Sequence, residues 1–161
     1  MVYVVMGLAV FVLDLMTKIW AKTELAEIGT LPVIQDVFHL TYVENKGAAF
    51  GIFQNGRIFF ILVALVAAAV VLYAVFKYRN KPTVLNLGIT FLSAGALGNT
   101  IDRIYQGFVV DLFDFRIINF PVFNVADIFV CLGAGLLAIF FIYADGKEQR
   151  KGELKEDDCE G

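Results

Sequence analysis

Long apolar stretches constrain the fold of this chain more than any other feature. Four of them approach the roughly 20 residues that a helix needs to cross a 30 Å hydrocarbon core, and they cover about residues 2–21, 58–76, 84–101 and 123–143. The 161 residues are 59% hydrophobic and 18% charged, whereas a soluble domain carries about 25% charged residues. Because a chain in lipid has to satisfy its own backbone hydrogen bonds, the four stretches predict transmembrane helices.

Lysine and arginine near the ends of these stretches predict how the chain is oriented. Basic residues gather after the second and fourth stretches, at Lys77, Arg79, Lys81, Lys147, Arg150, Lys151 and Lys155. We therefore expect both regions, and with them the N-terminus and the C-terminus, on the cytoplasmic side. Residues 1–145 are expected to form one membrane domain, followed by a charged cytoplasmic tail over residues 146–161.

The two outward connections have patterns of their own. Residues 37–43 and 108–115 are rich in β-branched and aromatic side chains, which is typical of strands. Residues 47–53 are small and apolar and predict a short helix lying in the membrane interface. The expected fold is an all-α membrane protein: four transmembrane helices, a small extracytoplasmic β-sheet and an interfacial helix.

Composition argues against several kinds of site. Cys131 lies in an apolar stretch and Cys159 in the polar tail, so we expect no disulfide. His39 is the single histidine, and we interpret it as a loop or packing residue. Because one histidine without partners is a poor basis for a zinc site, we expect no metal and no cofactor. The net charge of −3 gives no indication of nucleic-acid binding.

Ionisable residues inside or at the rims of the apolar stretches are the main functional signal. A charge at the centre of a membrane helix costs roughly 2.5–3.5 kcal/mol, so each one calls for an explanation. Asp14 and Lys18 lie four residues apart on one helix face, with the acid first, which is the better order for an ion pair. We interpret them as a structural pair that faces the bundle.

Two further groups lie at the outer ends of the third and fourth stretches. Asn99, Asp102 and Arg103 share a helix face and form either a helix end with an Arg–Asp pair or, as we favour, a functional cluster. Asn124 and Asp127 also share a face, where such residues often only cap a helix. Asp127 lies about five residues into the apolar stretch, which is deep for a cap.

An aspartate also interrupts the second predicted strand. Asp111 lies within the apolar run, and Asp114 follows three residues later. Residues three apart in a strand point to opposite faces, so at most one of the two is directed at a membrane site. The pattern alone does not choose between them.

The predicted topology brings these carboxylates to one level near the outer face. When two carboxylates share a site, one keeps a proton. The ionised partner can then take a proton from an attacking water while the protonated one polarises a carbonyl and supplies the leaving amine. A proton-coupled transporter and a non-catalytic assembly protein are the alternatives. A transport path needs polar groups at several depths, however, and the second stretch has no ionisable residue before Lys77.

Five sequence blocks, in order along residues 2–143, resemble the lipoprotein signal peptidases, or signal peptidase II. The blocks are Asp14-Leu-Met-Thr-Lys18, Asn45-Lys-Gly-Ala-Ala-Phe-Gly51, Gly98-Asn-Thr-Ile-Asp-Arg103, Gly107-Phe-Val-Val-Asp111 and Phe123-Asn-Val-Ala-Asp127. The resemblance implies a monomeric aspartic endopeptidase of the bacterial cytoplasmic membrane. It would cut prolipoproteins just before a cysteine that carries diacylglycerol, in contact with membrane lipids, and globomycin-type inhibitors would block it.

The resemblance also implies which residues carry the chemistry. The catalytic pair of the family falls on Asp111 and Asp127, which selects Asp111 over Asp114. The supporting positions of the family fall on Asp14, Lys18, Asn45, Asn99, Asp102, Arg103, Asn124 and Ala126. The chain departs from the family pattern at Leu112 and Ile128, but neither departure removes a carboxylate.

Overall fold

The structure is a computed structural model that describes residues 1–47, 58, 62, 69, 73, 83–118 and 120–160, with side chains as far as Tyr143. Within these residues three helices are long and apolar enough to cross a membrane: Val2–Ile28, Thr83–Tyr105 and Val125–Tyr143. They agree with the first, third and fourth predicted spans. Of the second predicted span only residues 58, 62, 69 and 73 are described, and of the predicted interfacial helix only Gly47, so both predictions lie almost entirely outside the described residues.

The helices are longer than the apolar stretches that predict them. Helix α1 (Val2–Trp20) continues through a π-helical turn (Ala21–Leu25) and a last turn (Ala26–Ile28). Gly29, with φ of 78°, then ends it in a conformation that glycine adopts without strain. Helix α2 covers Thr83–Tyr105. Helix α3 covers Val125–Glu160, so it includes nearly all of the region predicted as a charged tail, residues 146–161.

Helices α2 and α3 approach each other closely because glycines lie between them. A Cβ atom at Gly95 would lie 2.3 Å from the carbonyl oxygen of Ala126, and one at Gly133 would lie 2.5 Å from the backbone nitrogen of Leu92. Small residues at such positions allow membrane helices to pack backbone against backbone. This packing brings the C-terminal end of α2 beside the start of α3.

A three-stranded antiparallel sheet lies where α1 and α2 end and α3 begins. Its strands are β1 (Thr30–Ile34), β2 (Phe38–Asn45) and β3 (Val109–Phe115), in the order β1-β2-β3. The two predicted strands are confirmed as β2 and β3. Strand β1 was not predicted because Pro32 interrupts its pattern, yet a proline is tolerated on an edge strand.

The sheet packs on the end of α1. Ala21 and Leu25 of the π-helical turn form a buried cluster with Val110 and Leu112 of β3. Side chains alternate along a strand, so Asp111 points away from this cluster. Asp111 and Asp114 also bind different residues, Asn45 and Asn124 in one case and Thr41 in the other, which agrees with the expected opposite orientation.

Candidate active site

Asp111 is buried on β3 and accepts hydrogen bonds at both carboxylate oxygens. Asn45 Nδ2 donates to Oδ2 at 2.8 Å, and Asn124 Nδ2 donates to Oδ1 at 2.6 Å. The direction of both amides is fixed, because Asn45 Oδ1 accepts from the backbone of Gly47 and Asn124 Oδ1 accepts from the backbone of Asp127. Each amide therefore presents its NH₂ group to Asp111.

Asp127 lies in the first turn of α3 and forms a reciprocal cap with Asn124. Asn124 Oδ1 accepts from the backbone N–H of Asp127 at 2.9 Å, and Asp127 Oδ2 accepts from the backbone N–H of Asn124 at 3.2 Å. This is the arrangement of a capping box. The expectation that Asp127 lies too deep for a cap is wrong, because α3 begins at Val125 and not where the apolar stretch begins.

The second oxygen of Asp127 connects it to Asp111. Asn99 Nδ2 donates to Asp127 Oδ1 at 2.7 Å, and Asn99 Oδ1 lies 3.2 Å from Asn124 Nδ2, the group that also donates to Asp111. Two side-chain amides, Asn99 and Asn124, thus join the two carboxylates. One residue comes from α2 and one from the start of α3, so the close packing of these helices sets the geometry of the pair.

Lys18 supports this arrangement from α1. Its ammonium group lies 2.7 Å from Asp14 Oδ2, 2.8 Å from Asp102 Oδ2 and 2.9 Å from Asn99 Oδ1. The side chain is 4% exposed, so three oxygen atoms surround a buried ammonium group. The expected Asp14–Lys18 pair is confirmed. The ion pair that Asp102 forms is with Lys18, on another helix, rather than with its neighbour Arg103.

Asp14 connects Lys18 to α3. Its Oδ1 accepts from the backbone N–H of Ala126 at 2.9 Å, one of the N–H groups at a helix start that have no partner within the helix. A Cβ atom at position 98 would lie 2.6 Å from Asp14 Oδ2. Gly98 is therefore the residue that lets α2 approach Asp14, a role that the sequence did not reveal.

Arg103 connects the end of α2 to the segment after β2. Its guanidinium donates to the backbone oxygens of Asn99, at 3.2 Å, and Gly47, at 3.0 Å. It also lines the same cavity as the two carboxylates. All ten residues named from the sequence thus belong to one connected site.

A cleft of about 760 Å³ opens beside the two carboxylates. Asp111, Asp127, Asn45, Asn99 and Arg103 form its polar end. From there it follows α3 as far as Ile139, a distance of about 18 Å at 1.5 Å per residue. That part of the wall is apolar and includes Ile128, Val130, Cys131, Leu132, Leu136 and Ile139.

Burial raises the pKa of Asp111 from 3.8 to about 7. The hydrogen bonds from Asn45 and Asn124 and the charge of Lys18 oppose this rise, whereas the charge of Asp127 adds to it. A carboxyl group in this state exchanges its proton near neutral pH. Such a group is suited to acid or base catalysis.

The described residues include no group of three or more His, Cys, Asp or Glu side chains that could hold a metal ion. His39 lies in β2 rather than in a loop, and it is 5% exposed with no hydrogen-bond partner for either ring nitrogen among the described residues. Its interpretation as a packing residue agrees with this burial. Cys131 is a free, exposed thiol in the wall of the cleft.

Comparison with known proteins identifies the family. A family model described as signal peptidase (SPase) II matches residues 6–143. This chain belongs to the signal peptidase II family. It is 46% identical over 149 residues to the lipoprotein signal peptidase of Clostridioides difficile strain 630, covering 92% of this chain and 100% of that protein. It is also 46% identical over 140 residues to that of Halothermothrix orenii, covering 87% and 94%.

Solved structures agree with the assignment. The chain is similar to one described as a bacterial membrane enzyme structure by the in meso method at 2.3 Å resolution, with a TM-score of 0.83, 31% identity, and coverage of 91% of this chain and 90% of that one. As a member of signal peptidase II, the chain is a multi-pass membrane protein and an aspartic peptidase. The resemblance carried by the five sequence blocks is thereby confirmed.

Proposed function

We propose that this signal peptidase II removes the signal peptide from prolipoproteins, cutting just before a cysteine that carries diacylglycerol, and that Asp111 and Asp127 activate the water. One observation carries the assignment of the pair. The two carboxylates lie in the wall of one cleft and are joined through Asn124 and Asn99. The function of the lipoprotein signal peptidases that the chain resembles supplies the substrate.

The chemistry follows from one proton shared by two carboxyl groups. The ionised carboxylate removes a proton from water as the water oxygen attacks the scissile carbonyl carbon, and the protonated carboxyl donates a hydrogen bond to the carbonyl oxygen. Collapse of the tetrahedral intermediate breaks the C–N bond, and a proton from the pair goes to the leaving amine. The charge of Asp127 is one of the causes that raise the pKa of Asp111 to about 7, so Asp111 can hold this proton near neutral pH.

The surrounding residues position the pair. Asn45, Asn99 and Asn124 direct their amides at the carboxylates, so each oxygen keeps a fixed orientation before substrate arrives. Lys18 fixes the direction of the Asn99 amide, since an ammonium group at 2.9 Å requires the oxygen of that amide. Such preorganisation is the general way in which a site stabilises charge that develops during reaction.

The substrate fits the shape and polarity of the cleft. Its apolar wall is about 18 Å long, and the apolar core of a signal peptide, 7–15 residues as a helix, is about 10–22 Å long. Diacylglycerol confines the substrate to the bilayer, because each buried CH₂ group contributes about 0.8 kcal/mol. Membrane lipids are therefore constant partners of the enzyme.

The basic residues of the sequence support an orientation in the bacterial cytoplasmic membrane with both termini in the cytoplasm. On that orientation the pair lies near the extracytoplasmic face, where the cysteine of a prolipoprotein emerges. We propose that the enzyme acts as a monomer and that globomycin-type inhibitors occupy the cleft. No nucleic acid or cofactor takes part.

Purified enzyme tests the proposal with two matched substrates. One is a prolipoprotein whose cysteine carries diacylglycerol, and the other is the same chain without lipid, each with and without globomycin. We expect cleavage before the cysteine of the lipidated substrate only, and its loss when globomycin is added. Equal cleavage of both substrates would contradict the assigned substrate, and cleavage at another bond would contradict the assigned specificity.

A further inference from the structure

Strand β2 contains a bulge a few residues before Asn45, the residue that binds Asp111. Leu40 pairs with Phe113, but the next pair joins Val43 to Asp111. Two residues, Thr41 and Tyr42, therefore face the single residue between Phe113 and Asp111. Bulges of this kind re-aim side chains and occur often beside active sites.

The bulge decides which side of the sheet Asn45 faces. Thr41 and Asn45 are four residues apart, and in an uninterrupted strand they would share a face. Thr41 instead bonds to Asp114, whereas Asn45 bonds to Asp111, on the opposite face of β3. The extra residue turns the strand between them.

Without the bulge, a different side chain would reach Asp111. Continuing the register from Leu40 would pair Tyr42 with Asp111 and give Glu44 the place that Asn45 now has. A carboxylate would then replace an amide beside the candidate catalytic aspartate. In the observed register Glu44 is exposed and accepts a hydrogen bond from the Tyr42 hydroxyl at 3.2 Å.

Side chains outside the active site hold the bulge in place. The Thr41 hydroxyl donates to Asp114 Oδ2 at 2.8 Å and accepts from the Thr30 hydroxyl at 3.3 Å, so it ties the bulge to both neighbouring strands. The backbone N–H of Tyr42 donates to the oxygen of Gly29 at 3.0 Å. Asp114 Oδ2 also accepts from the exposed Arg116 at 3.1 Å.

We infer that Thr41 and Asp114 are positioning residues of this peptidase: their hydrogen bond holds the β2 bulge that turns Asn45 toward Asp111. The inference rests on the proposed role of Asp111. Asp114 thereby acts on the same site from the opposite face of the sheet. The sequence pattern alone did not decide which of Asp111 and Asp114 is directed at that site.

The pH profile of cleavage tests the inference. The charged groups around Asp111 are Asp127, Lys18 and Arg103 in the bundle and Glu44 and Lys46 at the sheet edge. None of them changes in Thr41→Val, which keeps the shape of the side chain and removes the hydroxyl. Because Asp111 would lose the amide of Asn45, we expect the alkaline limb of kcat/KM to move up by about one pH unit, a tenfold change in proton affinity.

Matched variants separate positioning from general damage. Asn45→Ala should give the same shift, and adding Thr41→Val to it should give no further shift. Thr41→Ser and Asp114→Asn keep the donor and an acceptor and should retain the wild-type profile, whereas Asp114→Leu should shift it. Arg116→Gln is the control on the exposed side and should leave the profile unchanged.

Three outcomes would overturn the inference: an unshifted profile in Thr41→Val, an unshifted profile in Asn45→Ala, or additive shifts in the double variant. Asp114→Leu decides the matter if Thr41→Val does not fold, since it removes the same hydrogen bond from the other strand. Absence of cleavage by the wild-type enzyme, in contrast, would count against the proposed function itself.

Discussion

Replacing Gly98 with alanine tests the contact through which α2 accommodates Asp14. The new Cβ atom would lie 2.6 Å from Asp14 Oδ2, closer than Cβ contacts in real structures. The carboxylate has little room to retreat. Its Oδ2 lies 2.7 Å from the Lys18 ammonium, and its Oδ1 accepts from the backbone of Ala126 at 2.9 Å. The methyl group must therefore separate the helices or break one of these contacts.

The size of the effect follows from three contributions. Overpacking costs about 1–3 kcal/mol, and a lost hydrogen bond to a charged group costs about 1.5–3 kcal/mol. Alanine offsets up to about 1 kcal/mol of this loss, because its helix propensity is higher than that of glycine. We therefore expect Gly98→Ala to lower the free energy of unfolding by about 1.5–6 kcal/mol, which lowers Tm by about 3–24 °C in a chain of this length.

Thermal unfolding in detergent measures this effect, with the fluorescence of Trp20 and far-ultraviolet circular dichroism as signals. Gly135→Ala is the matched control, because a Cβ atom there meets nothing within 4 Å. It should leave Tm unchanged or raise it slightly. Equal Tm values for the two variants would refute the reasoning, since only the contact with Asp14 distinguishes them.

Three further predictions concern charge. Folded Asp111 binds its proton more tightly than the unfolded chain does, so the free energy of unfolding should fall by about 3 kcal/mol from pH 5 to pH 8, through the pKa of about 7. A plot of Tm against pH for Asp111→Asn should lack this fall. Parallel plots for the wild type and the variant would contradict the prediction. Lys18→Met leaves Asp14 and Asp102 without their buried cation and should lower the free energy of unfolding by about 3–5 kcal/mol. The control Lys22→Met, at an exposed position, should lower it by about 0–1 kcal/mol. Similar losses of Tm in the two variants would argue against a buried ion cluster. EDTA should leave turnover unchanged, because carboxyl groups supply both the acid and the base, and activity that EDTA removes and zinc restores would overturn this.

The sequence predicts the helices well because lipid imposes a simple rule. A span of about 20 apolar residues is visible in any single stretch, and the three described spans were found in this way. The ends of these helices were not predicted. Helix α1 continues to Ile28 beneath the sheet, and the position of the sheet depends on tertiary packing that local sequence pattern does not show. Strand β1 was missed because Pro32 is compatible only with an edge, and sequence pattern does not show which strand is the edge.

The site was partly predictable for similar reasons. Contacts within one helix, such as Asp14 with Lys18, follow from spacing alone. Contacts between helices, such as Lys18 with Asp102, depend on how α1 and α2 are rotated and packed. The choice between Asp111 and Asp114 came from family resemblance, and the bulge at Thr41 that orients Asn45 left no mark in the local pattern.

Single-turnover cleavage of a lipidated prolipoprotein by Asp111→Asn and Asp127→Asn tests the central claim most directly. Loss of a catalytic acid or base costs about 10²–10⁴-fold in rate, and we expect at least that loss in each variant. Asp36→Asn, in an exposed turn where φ is 60°, is the matched control and should cleave at the wild-type rate. Near-normal cleavage by either active-site variant, with its fold verified by circular dichroism, would contradict the aspartate pair.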